Sequence, residues 1–106
     1  MNISHNDKNL MRRRLPPLRA LQAFEAGARN LSFSRAAEEL SVTQTAISHQ
    51  VRNLEQWFGV RLFVRKGREI ALTDTGSRLE VEVALALDRI HEAAARRLRG
   101  HTIGLP

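Results

Sequence analysis

The sequence predicts a mainly α-helical fold, in which three short helices are followed by a β-hairpin and one long helix. Three observations support this prediction. Apolar residues recur at helical spacing before position 58, two short apolar runs flank the basic stretch 65–69, and apolar residues recur in steps of three and four after Thr73. A chain of 106 residues is long enough for one small core and one extended element.

Composition narrows the class of protein. Hydrophobic residues make up 42% of the chain and charged residues 26%, as in a folded domain. The net charge of +6 favours a polyanionic partner, because a basic surface releases counterions from phosphates. The absence of cysteine excludes disulfides and thiolate metal sites, and the four histidines lack ligand spacing, so we predict no metal and no cofactor. No apolar stretch is long enough to span a bilayer, and we expect a cytoplasmic location.

The first part of the chain predicts an arm and two helices. Residues 1–14 are polar and basic, and we expect them to form a flexible arm. Proline suits the first position of a helix, so a helix is predicted from Pro17 to Arg29. Ser34 is the predicted N-cap of a short second helix, whose Ala36 and Ala37 permit close helix packing.

A third helix is predicted over residues 44–58, with Thr43 as its N-cap and Gly59 as its left-handed end. At about 100° per residue, one side of this helix carries the apolar residues Ile47, Val51, Leu54 and Phe58. The opposite side carries Thr45, Ser48, His49 and Arg52. A short turn at Ser41 joins the second and third helices, and the pair predicts a helix-turn-helix whose second helix projects outward.

The apolar runs 62–64 and 70–72 predict the strands of a hairpin with a basic tip at 65–69. A hairpin in this position is a wing, so the predicted fold class is a winged helix-turn-helix domain over residues 15–73.

Thr73 is predicted to cap a linker helix over residues 74–99. The apolar stripe of this helix is typical of a coiled coil and predicts homodimerisation through Leu79, Val83, Ala86, Leu87, Ile90 and Ala94. Packing of the stripe against the first helix is the alternative, and both arrangements can hold for different faces.

An outward polar helix followed by a basic wing predicts binding to double-stranded DNA. In the major groove, the N-terminal side chains of the third helix would meet base edges, where Gln44 could pair with adenine and His49 could donate to guanine. Phosphate contacts are better suited to Arg52, to the helix starts and to the wing. The wing can instead enter the minor groove. The predicted DNA-binding residues are Ser34, Arg35, Thr43, Gln44, Thr45, Ser48, His49, Arg52, Arg65, Lys66 and Arg68.

Two other functions are less consistent with the sequence. A winged helix that binds protein would use the hairpin and the long helix as a platform, and it should carry an apolar third-helix face. The polar face of the third helix, residues 44–58, argues against that function. An enzyme is disfavoured, because no nucleophile, base and orienting group have a spacing that would make them converge.

Several segments together resemble one known family. They are Leu21-Gln22-Ala23-Phe24, residues 32–40 (SFSRAAEEL), residues 42–48 (VTQTAIS) and Leu54-Glu55. This pattern closely resembles the N-terminal domain of LysR-type transcriptional regulators, and residues 59–65 and 72–76 resemble that family's wing and the start of its linker helix. The resemblance covers residues 15–98. The opening at 14–18 is similar to the branch that contains the glycine-cleavage and beta-lactamase activators.

The resemblance implies that linker helices pair antiparallel in a dimer, which presents two recognition helices, residues 44–58, to a dyad-symmetric promoter site. Family contacts to DNA carry over to Thr43, Gln44, Thr45, Ser48, His49, Arg65, Lys66 and Arg68. Many members have proline at the position of Thr45 and arginine at that of His49, which bears on base preference rather than on DNA binding.

The family also has a C-terminal domain that binds a small-molecule effector, and residues 100–106 resemble the hinge that leads into it. We therefore expect this chain to be an isolated DNA-binding domain or a truncated regulator, without that domain.

Overall fold

The computed structural model describes residues 14–100, with side chains described as far as residue 97. In chain order, its elements are α1 (Leu18–Asn30), α2 (Phe33–Leu40), α3 (Gln44–Phe58), β1 (Phe63–Lys66), β2 (Glu69–Leu72) and α4 (Asp74–Gly100). This order is the one predicted for the fold class. Residues 1–13 of the predicted arm and residues 101–106 of the predicted hinge lie outside the described residues.

The starts of α1 and α2 differ from the prediction. α1 begins at Leu18, and Pro17 precedes it with φ −58° and ψ 137°. The prediction of Ser34 as N-cap of α2 is wrong, because Ser32 is the extended residue whose hydroxyl accepts the backbone N–H of Arg35 at 3.1 Å. A capping hydroxyl reaches a free amide from just outside the helix, whereas Ser34 already lies within the first turn.

The turn between α2 and α3 is compact. Ser41 adopts the left-handed conformation with φ 56° and ψ 46°, and the next backbone N–H, that of Val42, donates to the carbonyl of Ala37 at 3.0 Å. The hydroxyl of Thr43 accepts the backbone N–H three residues later at 3.0 Å. Gly59 ends α3 with φ 73°. The predicted cap and the predicted end of α3 are both confirmed.

The wing is an antiparallel hairpin with the register Phe63↔Leu72 to Lys66↔Glu69. Its strands extend farther toward the tip than the predicted runs 62–64 and 70–72. Gly67 adopts φ 64° and forms a two-residue turn with Arg68, so pairing continues up to the turn itself. Arg65 and Lys66 therefore lie in β1 rather than in a five-residue tip.

One core lies beneath α3 and the root of the wing. Its buried side chains are Ala20, Ala23, Phe24, Ala26, Ala28, Ala36, Ala37, Ile47, Val51, Leu54, Leu62, Phe63 and Val83. The ring of Phe63 lies edge-on to Phe24 at 5.6 Å and to Phe33 at 5.1 Å, which ties the wing root to α1 and α2. Phe58, predicted on the apolar face of α3, is instead 38% exposed at the last turn, where its ring contacts Trp57.

α4 packs its first half against the core. Val83 is 7% exposed, and Leu79 and Leu87 pack partly against the same cluster. Farther along the predicted dimerisation stripe, Ile90 is 60% exposed and Ala94 is exposed. Three of the six predicted dimerisation residues thus contribute to packing within the chain. Of the helices within residues 14–100, none has the length and apolar character needed to cross a membrane.

Candidate nucleic-acid interface

The N-terminal half of α3 presents its polar side chains away from the core. Gln44, Thr45 and His49 are exposed and Ser48 is half-buried, whereas Ile47 on the opposite side is 1% exposed. The helical period separates these faces, because the apolar positions that anchor α3 recur every three or four residues. The outward side of α3 therefore offers hydroxyl, amide and imidazole groups to a partner.

A depression of about 400 Å³ lies where the starts of α2 and α3 meet the wing. Five predicted DNA-binding residues line it: Ser34, Arg35, Gln44, Arg65 and Arg68. The side chains of these arginine, serine and glutamine residues carry N–H and O–H donors, and phosphate oxygens accept hydrogen bonds from such donors. The fold thus brings together residues that are up to 34 positions apart in the sequence, from Ser34 to Arg68.

A second depression, a groove of about 620 Å³, runs between α3 and β1. Ser48, Arg52 and Arg65 line it together with Gln56. Arg65 lines both depressions, so the polar face of α3 and the basic wing form one continuous surface. Sequence reasoning missed Gln56, although its position four residues after Arg52 places it on the same helical face.

The remaining predicted residues line neither depression. Thr45, His49 and Lys66 are exposed, and each directly follows a lining residue in the sequence. Thr43 is also exposed, and its hydroxyl oxygen accepts an N–H of α3, which leaves the hydroxyl proton for a phosphate. Lys66 pairs in register with Glu69, the acidic residue at the tip of the wing.

Glu55 attaches the wing to α3. Its Oε2 accepts the backbone N–H of Leu62 at 2.8 Å and that of Phe63 at 3.2 Å, and it lies 3.5 Å from Nε of Arg61. The Glu55 side chain is only 13% exposed, so these bonds replace most of its hydration. Sequence reasoning assigned it no role, although it is the single acidic residue within Gln44–Phe58.

An ionic cluster joins α1 to α2. Arg29 Nε lies 2.8 Å from Oε2 of Glu25, and the other nitrogens of the same guanidinium donate to Glu39. Hydrogen bonds from Arg29, and to a lesser degree from Asn30, lower the pKa of Glu39 to about 2. The two carboxylates raise the pKa of Arg29 well above its ordinary value. This cluster fixes the ends of two helices that support α3.

Among the described side chains, residues 14–97, no group of three His, Asp or Glu residues is arranged to hold a metal ion.

Three helices, with the third presented beside a two-stranded wing, define a winged helix-turn-helix domain. A family model described as bacterial regulatory helix-turn-helix protein, lysR family, matches residues 18–77. The chain belongs to this family, which confirms the resemblance seen in its motifs.

Two relatives illustrate the match. The chain is 49% identical over 89 residues to the glycine cleavage system transcriptional activator homolog of Haemophilus influenzae, an alignment that covers 84% of this chain and 30% of the relative. It is 52% identical over 85 residues to the HTH-type transcriptional activator AmpR of Pseudomonas aeruginosa, covering 80% and 29% respectively. The chain therefore spans less than a third of the length of these relatives.

A solved structure shares the architecture. The BenM DBD/catB site 1 DNA complex matches with a TM-score of 0.75 and 28% sequence identity, over 85% of this chain and 99% of that chain. The predicted winged helix-turn-helix fold is confirmed by this match.

Proposed function

We propose that this chain binds double-stranded DNA sequence-specifically, as the DNA-binding unit of a bacterial transcription regulator. One observation carries the proposal: Arg65 lines both depressions and so joins the polar face of α3 to the basic wing. The family membership supports it, as do relatives named as transcriptional activators and a neighbouring structure described as a DNA complex.

Base recognition is assigned to the exposed N-terminal half of α3, which enters the major groove. The amide of Gln44 can accept from N6 and donate to N7 of adenine, and His49 can donate to an acceptor on guanine. Thr45 and Ser48 lie on the same face and add hydroxyl contacts to base edges or phosphate.

Phosphate binding is assigned to the groups around the two depressions. At the start of α2, Ser34 and Arg35 contact one segment of the DNA backbone. Arg52 contacts another segment along α3. The wing residues Arg65 and Arg68, with Lys66 beside them, lie on the DNA backbone or in the minor groove. These charges set affinity and register rather than sequence preference.

Two copies pair through α4 and present their recognition helices to a dyad-symmetric promoter site in the cytoplasm. Ile90 and Ala94 are exposed on α4 and, with the exposed Ala86, supply apolar surface for the second copy. A symmetric dimer binds half-sites whose centres are separated by about 34 Å or its multiples, because each half-site must face the same side of the duplex.

The rival function, a protein-binding winged helix, would need an apolar N-terminal face on α3, whereas Gln44, Thr45 and His49 are polar and exposed. Selection of bound duplexes from random DNA, followed by titration of the selected duplex across salt concentrations, separates the two. DNA binding should yield an enriched dyad-symmetric sequence and an affinity that falls steeply with salt. Recovery of no enriched sequence would contradict the proposed function.

A further inference from the structure

The segment between α3 and the wing makes hydrogen bonds on both sides. On one side, the carboxylate of Glu55 in α3 accepts the backbone N–H groups of Leu62 and Phe63. On the other side, the carbonyl of Leu62 accepts the backbone N–H of Thr73, the residue before α4, at 3.0 Å. A continuous set of hydrogen bonds therefore runs from the recognition helix to the start of the linker helix.

The hydroxyl of Thr73 closes this connection. It donates to the carbonyl of Arg61 at 2.8 Å and accepts the backbone N–H of Gly76, in the first turn of α4, at 3.0 Å. One side chain thus caps α4 and attaches that cap to the root of the wing. The first turn of α4 lies close to the root of the wing, so a Cβ atom added to Gly76 would overlap the carbonyl oxygen of Leu62.

We propose that Thr73 is a positioning residue that fixes the direction of α4 relative to the recognition helix, and thereby sets the half-site spacing that a dimer accepts. The inference rests on the proposed function. Leu79, Val83 and Leu87 attach one stripe of α4 to the core, and a helix held along one stripe can still pivot about that contact. The attachment of its N-terminus through Thr73 removes this freedom.

The length of α4 makes small pivots consequential. Its 27 residues span about 40 Å at 1.5 Å per residue, so a pivot of about 10° at Thr73 moves the far end by about 7 Å. That displacement corresponds to about two base-pair steps of 3.4 Å. Loss of the hydroxyl should therefore change which half-site spacings are bound, while the contacts within one half-site stay the same.

The test compares Thr73→Val, which keeps the shape of the side chain but removes the hydroxyl, with the wild-type chain. The probes are duplexes that carry the half-site recovered from random DNA, either once or twice with the spacing varied in single base-pair steps. We expect Thr73→Val to keep its affinity for the single half-site within about twofold, as expected when no direct contact is lost. Its preference for the best spacing over spacings two base pairs away should fall by about fivefold or more.

Thr73→Ser, which retains the hydroxyl, should restore the wild-type preference. Thr75→Val is the matched control, since Thr75 is an exposed residue in the same turn. Gly76→Ala is a second perturbation, because it forces the first turn of α4 away from Leu62 while leaving the hydroxyl in place. Thermal melting establishes which variants are folded at the assay temperature.

The inference is overturned if Thr73→Val and Gly76→Ala are both folded and both keep the wild-type preference for half-site spacing. The direction of α4 would then depend on its packing against the core alone. Equal proportional losses on single and double half-sites would also overturn it, because they indicate a structural role only. A wild-type chain that binds selected and random duplexes alike would instead overturn the proposed function, and this inference with it.

Discussion

The carboxylate of Glu55 lies 2.8 Å from the backbone nitrogen of Leu62, seven residues later, and accepts its hydrogen bond where the wing leaves the core. Leu62 itself is fully buried. A buried amide without an acceptor is costly, so this contact stabilises both the wing and the loop that joins it to α3.

Removing this carboxylate should destabilise the domain. Glu55→Ala leaves the amides of Leu62 and Phe63 without their acceptor, and we expect the free energy of unfolding to fall by about 2–3 kcal/mol. Glu55→Gln keeps one acceptor oxygen and should cost about 1 kcal/mol. Urea unfolding measures both changes. Glu38→Ala is the control at an exposed acid, and equal stability of the two alanine variants would show that the Glu55 contact contributes little.

The ionic cluster of α1 and α2 predicts a specific dependence on pH. The pKa of Glu39 is lowered from 4.5 to about 2 in the folded chain, so its contribution to stability is present above pH 4.5 and is lost as the pH falls toward 2. Because the side chains of Arg29 and Glu39 are 48% and 38% exposed, the loss should stay below about 1 kcal/mol.

Urea unfolding at pH 7 and at low pH checks this prediction. Glu39→Gln should lose less stability than the wild type between these conditions, because its side chain does not titrate. Glu38→Gln is the control at the adjacent exposed position. If Glu39→Gln and the wild type lose stability equally on acidification, the cluster does not account for the acid dependence.

The two halves of the apolar stripe on α4 should respond differently to a charge. Ile90→Glu should leave the fold intact and raise the dissociation constant of the proposed dimer at least tenfold, since burial of an isoleucine contributes about 1.5–3 kcal/mol and both copies lose it. Val83→Glu should instead lower the free energy of unfolding by about 3 kcal/mol or more, because the charge enters the core.

Sedimentation equilibrium and urea unfolding separate the two effects. His91→Glu, which adds the same residue at an exposed neighbouring position, is the control and should remain dimeric. A dimeric Ile90→Glu variant would place the self-association surface elsewhere on the chain.

The base-reading role proposed for Gln44 predicts that its loss weakens the discrimination between bases. Gln44→Ala should lose about 1–3 kcal/mol of preference at one base position per half-site and retain its affinity for random duplexes. Competition binding against every single-base variant of the selected duplex measures this preference. Gln22→Ala, at an exposed position on α1, is the control. Equal losses of affinity for selected and random DNA would indicate that Gln44 contacts the DNA backbone instead of a base.

Loss of a charge from the wing should weaken the affinity for all duplexes alike. Arg65→Ala should weaken binding to all duplexes by a similar factor, and it should reduce the slope of log affinity against log salt by about 1, because one phosphate contact is lost. Titrations at several salt concentrations provide both quantities. Arg89→Ala removes the same charge from α4 and controls for the net charge. A loss confined to the selected duplex would indicate that Arg65 reads bases.

Local sequence accounted for much of the architecture. The alternating faces of α3, its Thr43 cap and its Gly59 end are each specified by residues within a turn or two, so the sequence predicted the element and its bounds. The cap of α2 was predicted at Ser34 instead of Ser32, because either serine satisfies the local preference. The choice depends on where the chain leaves α1, which ends at Asn30.

The sequence by itself determined the helix periods, the hairpin and the positive charge of the wing, since these depend on residue spacing and composition. Only the tertiary structure decided that Arg65 lines both depressions and that Glu55 supports the wing root. It also decided that Val83 belongs to the core while Ile90 stays exposed. The apolar stripe of α4 is continuous in sequence, but only the part of the helix that lies alongside the core can be buried by it.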